Sequence, residues 1–247
     1  MKPKLSYTIW FSQRTGSSLL CEAIGSTGLA GKPGEWLHDN QMKGYGDGSA
    51  ESFRDKLWQA GVSPEGIFGL KIAHNSVTRK LMDFMKRLPD CPKQPKNQSE
   101  IWDLICPNGK HLFMTRRNKV RLAVSWWRAI KSNDWHRTHG AAPVEADLKE
   151  AYLFDAIRHL MIESDFREAA AQEFFTESGI VPMTLVYEDF IADYSGTVTR
   201  VLDYLGLLQK KVNIAPPAFD KIADDTSEEW VQRFREEMQK DWPNKSW

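Results

Sequence analysis

The sequence predicts an α/β fold built on a mostly parallel sheet of about four to five strands, with helices on both faces. Short apolar runs recur along the chain, at residues 7–11, 66–72, 110–114 and 182–186. Such continuous runs are typical of parallel strands buried on both faces, and segments with helical spacing of apolar residues separate them. A glycine-bearing turn follows the first run, at the carboxyl edge where open parallel sheets bind ligands.

The composition limits the classes of function. The chain of 247 residues is long enough to bury a sizeable core, and we expect a single domain over residues 1–247. Lys+Arg 33 balances Asp+Glu 33, so no overall field draws the chain to nucleic acid or an anionic membrane. The three cysteines are too scattered for a disulfide framework or a zinc site. With no signal-peptide pattern and no long apolar run, we expect a cytoplasmic protein without a transmembrane segment.

The turn after the first strand is the main candidate binding site. Residues 7–11 are β-branched and aromatic, and apolar residues then recur at helical spacing from Leu19 to Ile24. In a strand–turn–helix arrangement the first backbone N–H groups of the helix face the turn and favour a phosphate or sulfate. The turn therefore predicts a P-loop-like fold. Its members are Ser12, Gln13, Arg14, Thr15, Gly16, Ser17 and Ser18.

This turn is not a complete Walker A loop, because it lacks the Lys-Ser/Thr pair that holds a nucleotide and its metal. Arg14 supplies a cation, and Ser17 and Ser18 supply hydroxyl donors. The local pattern leaves open an ordinary strand-to-helix turn that is capped by serine.

Polar residues near the second strand form a further group. Lys71 interrupts the apolar run of residues 66–72, and a buried lysine costs free energy unless it is paired. We therefore expect Lys71 to face an anion or to point out of the sheet. His74 follows the strand end, where ligands bind in parallel sheets. Residues 88–99 contain three prolines and predict a surface loop or a lid.

The helix after the third strand predicts a second anion site. Asn118 is a candidate cap for this helix. Its predicted apolar face consists of Val120, Ala123, Val124, Trp127 and Ile130. Arg121, Ser125 and Arg128 share a polar edge because their spacing is i, i+4 and i+7. Cations on this edge suit a second phosphate, and the alternative is a solvated surface.

The carboxyl-terminal half reads as helices around the fourth strand. An amphipathic pattern over residues 145–177 predicts a long helix that ends at Ser178 and Gly179. Apolar spacing over residues 198–205 predicts another helix, which ends at Gly206. Thr226 to Glu229 has the pattern of a capping box for the last helix.

Two of these stretches resemble a known family. Residues 12–17, Ser-Gln-Arg-Thr-Gly-Ser, and residues 27–36, Thr-Gly-Leu-Ala-Gly-Lys-Pro-Gly-Glu-Trp, closely resemble the amino-terminal signature of bacterial Stf0-type sulfotransferases. The founding members of that family sulfate trehalose. Residues 115–120 and 123–129 resemble the sulfotransferase motif that holds the 3′-phosphate of the donor.

The resemblance implies a co-substrate and roles for particular residues. The donor would be 3′-phosphoadenosine 5′-phosphosulfate (PAPS), used without a metal ion. Glu35 would act as the general base, although by itself it reads as a solvated loop carboxylate. Arg14 and the turn would stabilise charge on the leaving oxygen. Ser125 would hold the 3′-phosphate with Arg116 or Arg117, and Arg116 fits the Stf0-type spacing better.

The expected acceptor is a hydroxyl of a small carbohydrate or a glycolipid, similar to trehalose. Candidate acceptor contacts are Trp36, Lys71 and His74. The resemblance also implies a homodimer. Two alternatives from other classes are a P-loop nucleotide-binding kinase, which would need ATP and metal, and a non-catalytic protein that binds a phosphorylated nucleotide.

Overall fold

The structure is a computed structural model that describes residues 1–37, 48–144, 146–148 and 150–247. Four parallel strands form one sheet in the order β2-β1-β3-β4. The strands are β1 (Leu5–Phe11), β2 (Ile67–Ile72), β3 (Gly109–Thr115) and β4 (Met183–Val186). The predicted parallel α/β sheet is confirmed. Because β1 lies between β2 and β3, the turn that follows it lies between two neighbouring strand ends.

The helices cover both faces of this sheet. Within the described ranges they are α1 (Ser17–Ser26), α2 (Ala50–Gly61), α3 (Ser76–Met85), α4 (Gln98–Trp102), α5 (Lys119–Ser132), α6 (Phe154–Ser178), α7 (Tyr187–Ala192), α8 (Tyr194–Leu205) and α9 (Asp225–Met238). None of them is both long and apolar enough to cross a lipid bilayer, for the part of the chain that the structure describes.

Alternation along the strands divides the core in two. Trp10 of β1 packs on one face with side chains of α2, α3, α4 and α6. Tyr7 and Ile9 lie on the other face with side chains of α1, α7 and α8. This division follows from the period of two in a strand, which sends successive side chains to opposite faces. A third cluster joins α5, α6 and α9 around Trp230 and Phe234.

The predicted long helix starts later than its apolar pattern. The prediction ran from Glu145, which lies outside the described residues, whereas α6 begins at Phe154. Leu148 is buried in the third cluster without belonging to a helix. The backbone carbonyl of Ala151 accepts a hydrogen bond from Trp127 Nε1 at 2.8 Å. The apolar residues before Phe154 therefore come from a packed loop rather than from a turn of helix.

Two local predictions about helices α5 and α9 were wrong. The cap of α9 is Asp224 rather than Thr226, because Asp224 Oδ1 accepts the backbone N–H of Ser227 at 3.0 Å. Ile130 of α5 is 45% exposed. The buried face of α5 instead includes Trp126 and Ala129, so it is turned slightly from the predicted face. The predicted cap Asn118 is confirmed, since its Oδ1 accepts the backbone N–H of Arg121 at 3.0 Å.

Three short helices were not predicted from the sequence, although the buried residues Thr78, Leu81, Met82 and Met85 of α3 have helical spacing. Helix α3 begins at a capping box formed by Asn75 and Thr78. Helix α4 begins at Gln98, inside the loop predicted for residues 88–99. Helix α7 begins at Tyr187, directly after β4.

Candidate active site

A cavity of about 1270 Å³ opens at the carboxyl edge of the sheet. It lies between the turn after β1, the start of α5, the start of α7 and residues 217–223 before α9. Of the residues predicted for a site, those that line it are Gln13, Arg14, Gly16, Ser17, Ser18, Glu35, Lys71, Arg116, Arg121, Ser125 and Arg128. The fold therefore brings the two predicted anion motifs to one cavity.

The turn after β1 has a backbone that few residues can adopt. Arg14 and Gly16 both lie in the left-handed region, with φ of 64° and 83°. A Cβ atom on Gly16 would lie 2.7 Å from Cδ2 of Tyr187, so this position requires glycine for contact as well as for conformation. Thr15 Oγ1 donates a hydrogen bond to the Ser12 carbonyl at 2.8 Å and closes the turn.

A buried carboxylate on α6, that of Glu168, holds this turn in place through hydrogen bonds. Glu168 Oε1 accepts hydrogen bonds from Ser12 Oγ at 3.2 Å and lies 2.5 Å from Lys119 Nζ. Its other oxygen accepts from Thr115 Oγ1 at 2.8 Å. Glu168 thereby ties the ends of β1 and β3 to the start of α5. Sequence reasoning missed this residue, although Leu160, Ser164, Glu168 and Ala171 share one buried stripe of α6.

Ser12 and Thr15 were predicted to bind the co-substrate, and both are buried inside the turn. Neither is among the described residues that line the cavity. Their hydroxyls instead bond to Glu168 and to the Ser12 carbonyl. In the described structure, Ser12 and Thr15 stabilise the conformation of the turn.

The two arginines on the sheet side of the cavity lie close to each other. Arg14 Nε donates a hydrogen bond to Ser125 Oγ at 3.0 Å, and Arg116 Nη1 donates to the Arg14 carbonyl at 3.3 Å. The Arg116 guanidinium also lies 4.6 Å over the ring of Tyr187. Desolvation, and then the charge of Arg116, lower the pKa of Arg14 to about 10. Desolvation lowers the pKa of Arg116 as well. Two partly buried like charges make this region favourable for an anion.

Arg116 and Arg117 point in different directions. The Arg116 side chain is only 14% exposed and lines the cavity. Arg117 is exposed, and its Nη2 donates to Asp189 Oδ2 at 2.8 Å. Glu188 accepts the backbone N–H groups of Arg117 and Asn118 at 2.9 and 3.1 Å, which fixes the chain where α5 begins. Of the two alternatives for the second anion site, only Arg116 faces the cavity in the described structure.

The predicted pairing of Lys71 is confirmed. Its side chain is 7% exposed, and its Nζ lies 2.6 Å from Glu35 Oε1. The same ammonium donates to Ser18 Oγ at 2.8 Å and lies 4.6 Å from the centre of the Phe11 ring. Glu35 reaches this point because Gly34 forms a parallel bridge with Leu70, which adds the segment to the edge of β2. The cavity thus places a carboxylate, an ammonium and a hydroxyl next to the anion-binding turn.

Two predicted acceptor contacts lie elsewhere. Trp36 Nε1 donates to the Gly69 carbonyl at 2.9 Å, and its ring packs against the core cluster on the Trp10 face of the sheet. His74 borders a separate cavity of about 390 Å³. The His74 ring centre lies 6.0 Å from that of Trp10 and 5.8 Å from that of Phe174. The described structure does not bring Trp36 or His74 to the larger cavity.

Several residues of the larger cavity were not predicted. Trp135 and His136 follow α5, and the Trp135 carbonyl accepts a hydrogen bond from Arg14 Nη1 at 2.5 Å. Tyr187 lies under Arg116. Residues 217–223 supply the opposite wall, to which Phe219 contributes an aromatic ring. These positions follow only from the path of the chain through the fold.

The polar edge of α5 meets acidic residues of α9. Arg121 Nη1 lies 2.6 Å from Glu228 Oε2. Arg128 Nη2 donates to Asp224 Oδ2 at 2.7 Å, and Arg128 Nη1 donates to Ser227 Oγ at 2.6 Å. The Arg128 hydrogen bond holds the pKa of Asp224 down to about 2. The two arginines of the predicted polar edge are therefore paired with carboxylates of α9 or its cap.

Histidine, cysteine and carboxylate side chains are the groups that could hold a metal ion. Across the described ranges, no three of them come together in a way that could hold a metal ion. The charged groups around the cavity are dominated by arginine and lysine.

The parallel sheet and the cationic cavity at its carboxyl edge define an α/β protein suited to anionic ligands. Residues 6–237 match the family described as Stf0 sulphotransferase. The chain belongs to this family and is a sulfotransferase. Membership implies a sulfuryl donor and an acceptor substrate.

Similar proteins agree with this assignment. The chain is 29% identical over 265 residues to a trehalose 2-sulfotransferase of Mycolicibacterium smegmatis, with 96% of each chain covered. It is 27% identical over 260 residues to a trehalose 2-sulfotransferase of Mycobacterium tuberculosis, with 94% of each covered. The crystal structure of a sulfotransferase from Alicyclobacillus acidocaldarius has the same fold, with a TM-score of 0.51 at 13% identity, covering 97% of this chain and 95% of that one.

Proposed function

We propose that this sulfotransferase takes its sulfuryl group from PAPS and transfers it to a hydroxyl of a carbohydrate or glycolipid acceptor. The observation that carries the proposal is the pair of partly buried arginines, Arg14 and Arg116, joined to Ser125 beside the start of α1. Like charges held together in this way gain most from a ligand with several negative groups. PAPS has two such groups, at its 5′ and 3′ positions.

The two ends of the donor fit different parts of the cavity. The start of α1 and the turn formed by residues 13–18 would hold the 5′-phosphosulfate with backbone N–H groups and the Arg14 guanidinium. Arg116 and Ser125 would hold the 3′-phosphate, a group that ATP lacks. Arg117, which is directed to Asp189, is the weaker of the two alternatives for this role.

Glu35 is the proposed general base. It would accept the proton of the acceptor hydroxyl while the hydroxyl oxygen forms a bond to sulfur and the bond between sulfur and the phosphate oxygen breaks. Negative charge then develops on the departing phosphate oxygen, where Arg14 and the backbone N–H groups of the turn would stabilise it. A sulfuryl group carries less charge than a phosphoryl group, and the arginines and Lys71 supply positive charge. We therefore propose a reaction that needs no metal ion.

The acceptor is proposed to resemble trehalose, because both curated relatives described above act on that sugar. Lys71 lies beside Glu35, which supports a contact with the acceptor or with the transferring group. Trp36 and His74 stay predictions as acceptor contacts, and a homodimer stays a prediction as well.

Turnover of trehalose tests the proposal. With PAPS and trehalose, the full-length chain is expected to form sulfated trehalose in buffer that contains EDTA. Glu35→Gln should lower kcat by roughly 10²–10⁴-fold, because a positioned base contributes on that order. Glu51→Gln, an exposed carboxylate in the first turn of α2, is the matched control and should leave kcat unchanged.

Each alternative predicts a different result. A non-catalytic binding protein would bind the nucleotide without turnover, and a kinase would turn over only with ATP and Mg²⁺. Full activity of Glu35→Gln at saturating substrates would contradict the assignment of the base while leaving the sulfotransferase activity in place.

A further inference from the structure

A chain of polar contacts leads from His136 to the proposed base. His136 Nε2 lies 3.2 Å from Ser18 Oγ, Ser18 Oγ accepts a hydrogen bond from Lys71 Nζ at 2.8 Å, and Lys71 Nζ lies 2.6 Å from Glu35 Oε1. The four side chains come from four separate parts of the sequence. All four line the same cavity.

The direction of these hydrogen bonds follows from donor and acceptor counts. A lysine ammonium donates and never accepts, so Ser18 Oγ is the acceptor in its contact with Lys71. The Ser18 hydroxyl proton is then available for a second partner. His136 Nε2 can take that proton only if it is unprotonated, which places the imidazole proton on Nδ1.

The surroundings of His136 favour this neutral form. Desolvation, and then the positive charges of Arg14 and Lys71, lower the pKa of His136 to about 4, and Glu35 and Asp134 offset part of that effect. The residue is exposed, so the ring keeps contact with water. At neutral pH the ring is uncharged and has one nitrogen that accepts.

Further contacts hold the His136 ring and the backbone around it in place. Its ring stacks on Phe219, with 5.2 Å between the ring centres. The carbonyl of the preceding residue, Trp135, is bound by Arg14. Backbone hydrogen bonds of 2.9 Å join His139 to Ala218 and Asp220 to Arg137, so the segment after His136 is paired with the wall of residues 217–223.

From this geometry we propose that His136 is a positioning residue of the sulfotransferase reaction. It accepts a hydrogen bond from the Ser18 hydroxyl. This orientation directs a Ser18 lone pair at Lys71 and fixes the ammonium between Ser18 and Glu35. Lys71 in turn holds the Glu35 carboxylate at the turn where the transferred group is proposed to lie. His136 exchanges no proton with the substrate. This inference rests on the proposed function for its catalytic consequence.

A double-mutant cycle tests whether His136 acts through Ser18. His136→Leu removes the acceptor and should lower kcat by about tenfold, the amount one hydrogen bond of about 1.4 kcal/mol supplies. His136→Gln keeps an acceptor at a similar reach and should restore most of kcat. In a Ser18→Ala background, His136→Leu should cause no further loss.

The matched control is His159→Gln, a histidine on α6 whose side chain is 74% exposed. It should leave kcat unchanged. The affinity for adenosine 3′,5′-bisphosphate, measured by calorimetry, should be the same in His136→Leu and the unchanged chain. A merely structural role predicts instead that both His136 variants lose nucleotide affinity and thermal stability together. Equal losses in His136→Leu and His136→Gln, or a loss that persists beside Ser18→Ala, would overturn the proposal.

A spectroscopic measurement separates this proposal from the proposed function. In the full chain with ¹⁵N-labelled histidine, assigned with His136→Gln, we expect His136 at neutral pH to carry its proton on Nδ1. We also expect its Nε2 resonance to shift in Ser18→Ala. A proton on Nε2 would overturn the inference even in an active enzyme. If His136 had the expected tautomer but the chain neither bound the nucleotide nor sulfated trehalose, the result would instead count against the proposed function.

Discussion

Two walls of the cavity carry arginines, and the arginines face different partners. On the loop wall, formed by residues 12–18 and Arg116, Arg14 lies beside Arg116, and the pKa of both guanidinium groups is lowered. Glu188 Oε1 lies 3.8 Å from Arg116 Nε, too far for a hydrogen bond. On the helix wall, formed by α5 and α9, Arg121 and Arg128 each meet a carboxylate.

This difference indicates that the loop wall binds a ligand, whereas the arginines of the helix wall stabilise the packing of α5 and α9. A like-charged pair that is partly withdrawn from water costs free energy until an anion arrives, so the loop wall is suited to a ligand. Arginines already matched by acidic side chains gain less from a ligand and contribute more to holding two helices together. The arginines of the two walls thus have different roles because different groups lie next to them.

The strongest test of this comparison replaces one arginine on each wall by the same residue. On the loop wall, Arg116→Met should lower kcat/KM by roughly 10²–10³-fold, since removal of one preorganised group at developing or bound charge has that effect. Stability should change little, because the variant also removes a repulsive neighbour of Arg14. Steady-state kinetics and a thermal melt measure both quantities. A stability loss that accounts for the lost activity would contradict the assignment of this wall.

The shape of the turn gives the next largest effect. Gly16→Ala should destabilise the protein by about 1–2 kcal/mol from its left-handed backbone alone. The contact with Tyr187 at 2.7 Å adds to this, because the ring has to move. Urea denaturation measures the change. Gly25→Ala within α1, where a Cβ meets nothing closer than 3.8 Å, is a control that should be neutral or stabilising. Equal effects of the two substitutions would show that the turn imposes no special conformation.

On the helix wall, Arg128→Met should act mainly on stability. It removes the hydrogen bonds to Asp224 and Ser227 at the start of α9, which should cost about 1–2 kcal/mol. The loss in kcat/KM should be smaller than that of Arg116→Met, measured in the same assay. If Arg128→Met kept full stability and lost as much activity as Arg116→Met, the two walls would not differ in the way described.

The smallest expected effect is a pH dependence on the helix wall. The pKa of Asp224 is lowered from 3.8 to about 2, first by the Arg128 hydrogen bond. Because the folded-state pKa is depressed, its stabilising contribution is complete above 3.8 and is lost as the pH falls toward 2. Asp224 is 48% exposed, so solvent screens the effect. Asp224→Asn should flatten this part of the stability curve, and an unchanged curve would show that Arg128 and Asp224 interact little in solution.

The sheet and both anion motifs could be predicted from the sequence because each is marked by residues that are close together in the chain. The strand runs, the turn around Gly16 and the cap at Asn118 are patterns of neighbouring residues. The shared polar edge of Arg121, Ser125 and Arg128 follows from helical periodicity. The parallel topology then brings these local features to one edge of the sheet.

What the sequence left open depends on contacts between distant segments. Lys71 was expected to meet an anion, but only the fold identifies that anion as Glu35, which lies 36 positions earlier in the chain. The Glu168 network joins segments that are 156 positions apart at its longest contact. The same holds for the wall of residues 217–223, because no periodic pattern marks a loop that crosses a cavity.

Calorimetry with adenosine 3′,5′-bisphosphate tests the central claim most directly. The claim is that Arg14 and Arg116 of the loop wall, together with Ser125 of α5, form a site for a nucleotide with phosphates at both positions. In buffer with EDTA we expect binding that is much tighter than that of adenosine 5′-phosphate, and we expect Arg116→Met to abolish most of the difference. Equal affinity for the two nucleotides, or binding only with ATP and Mg²⁺, would contradict the account.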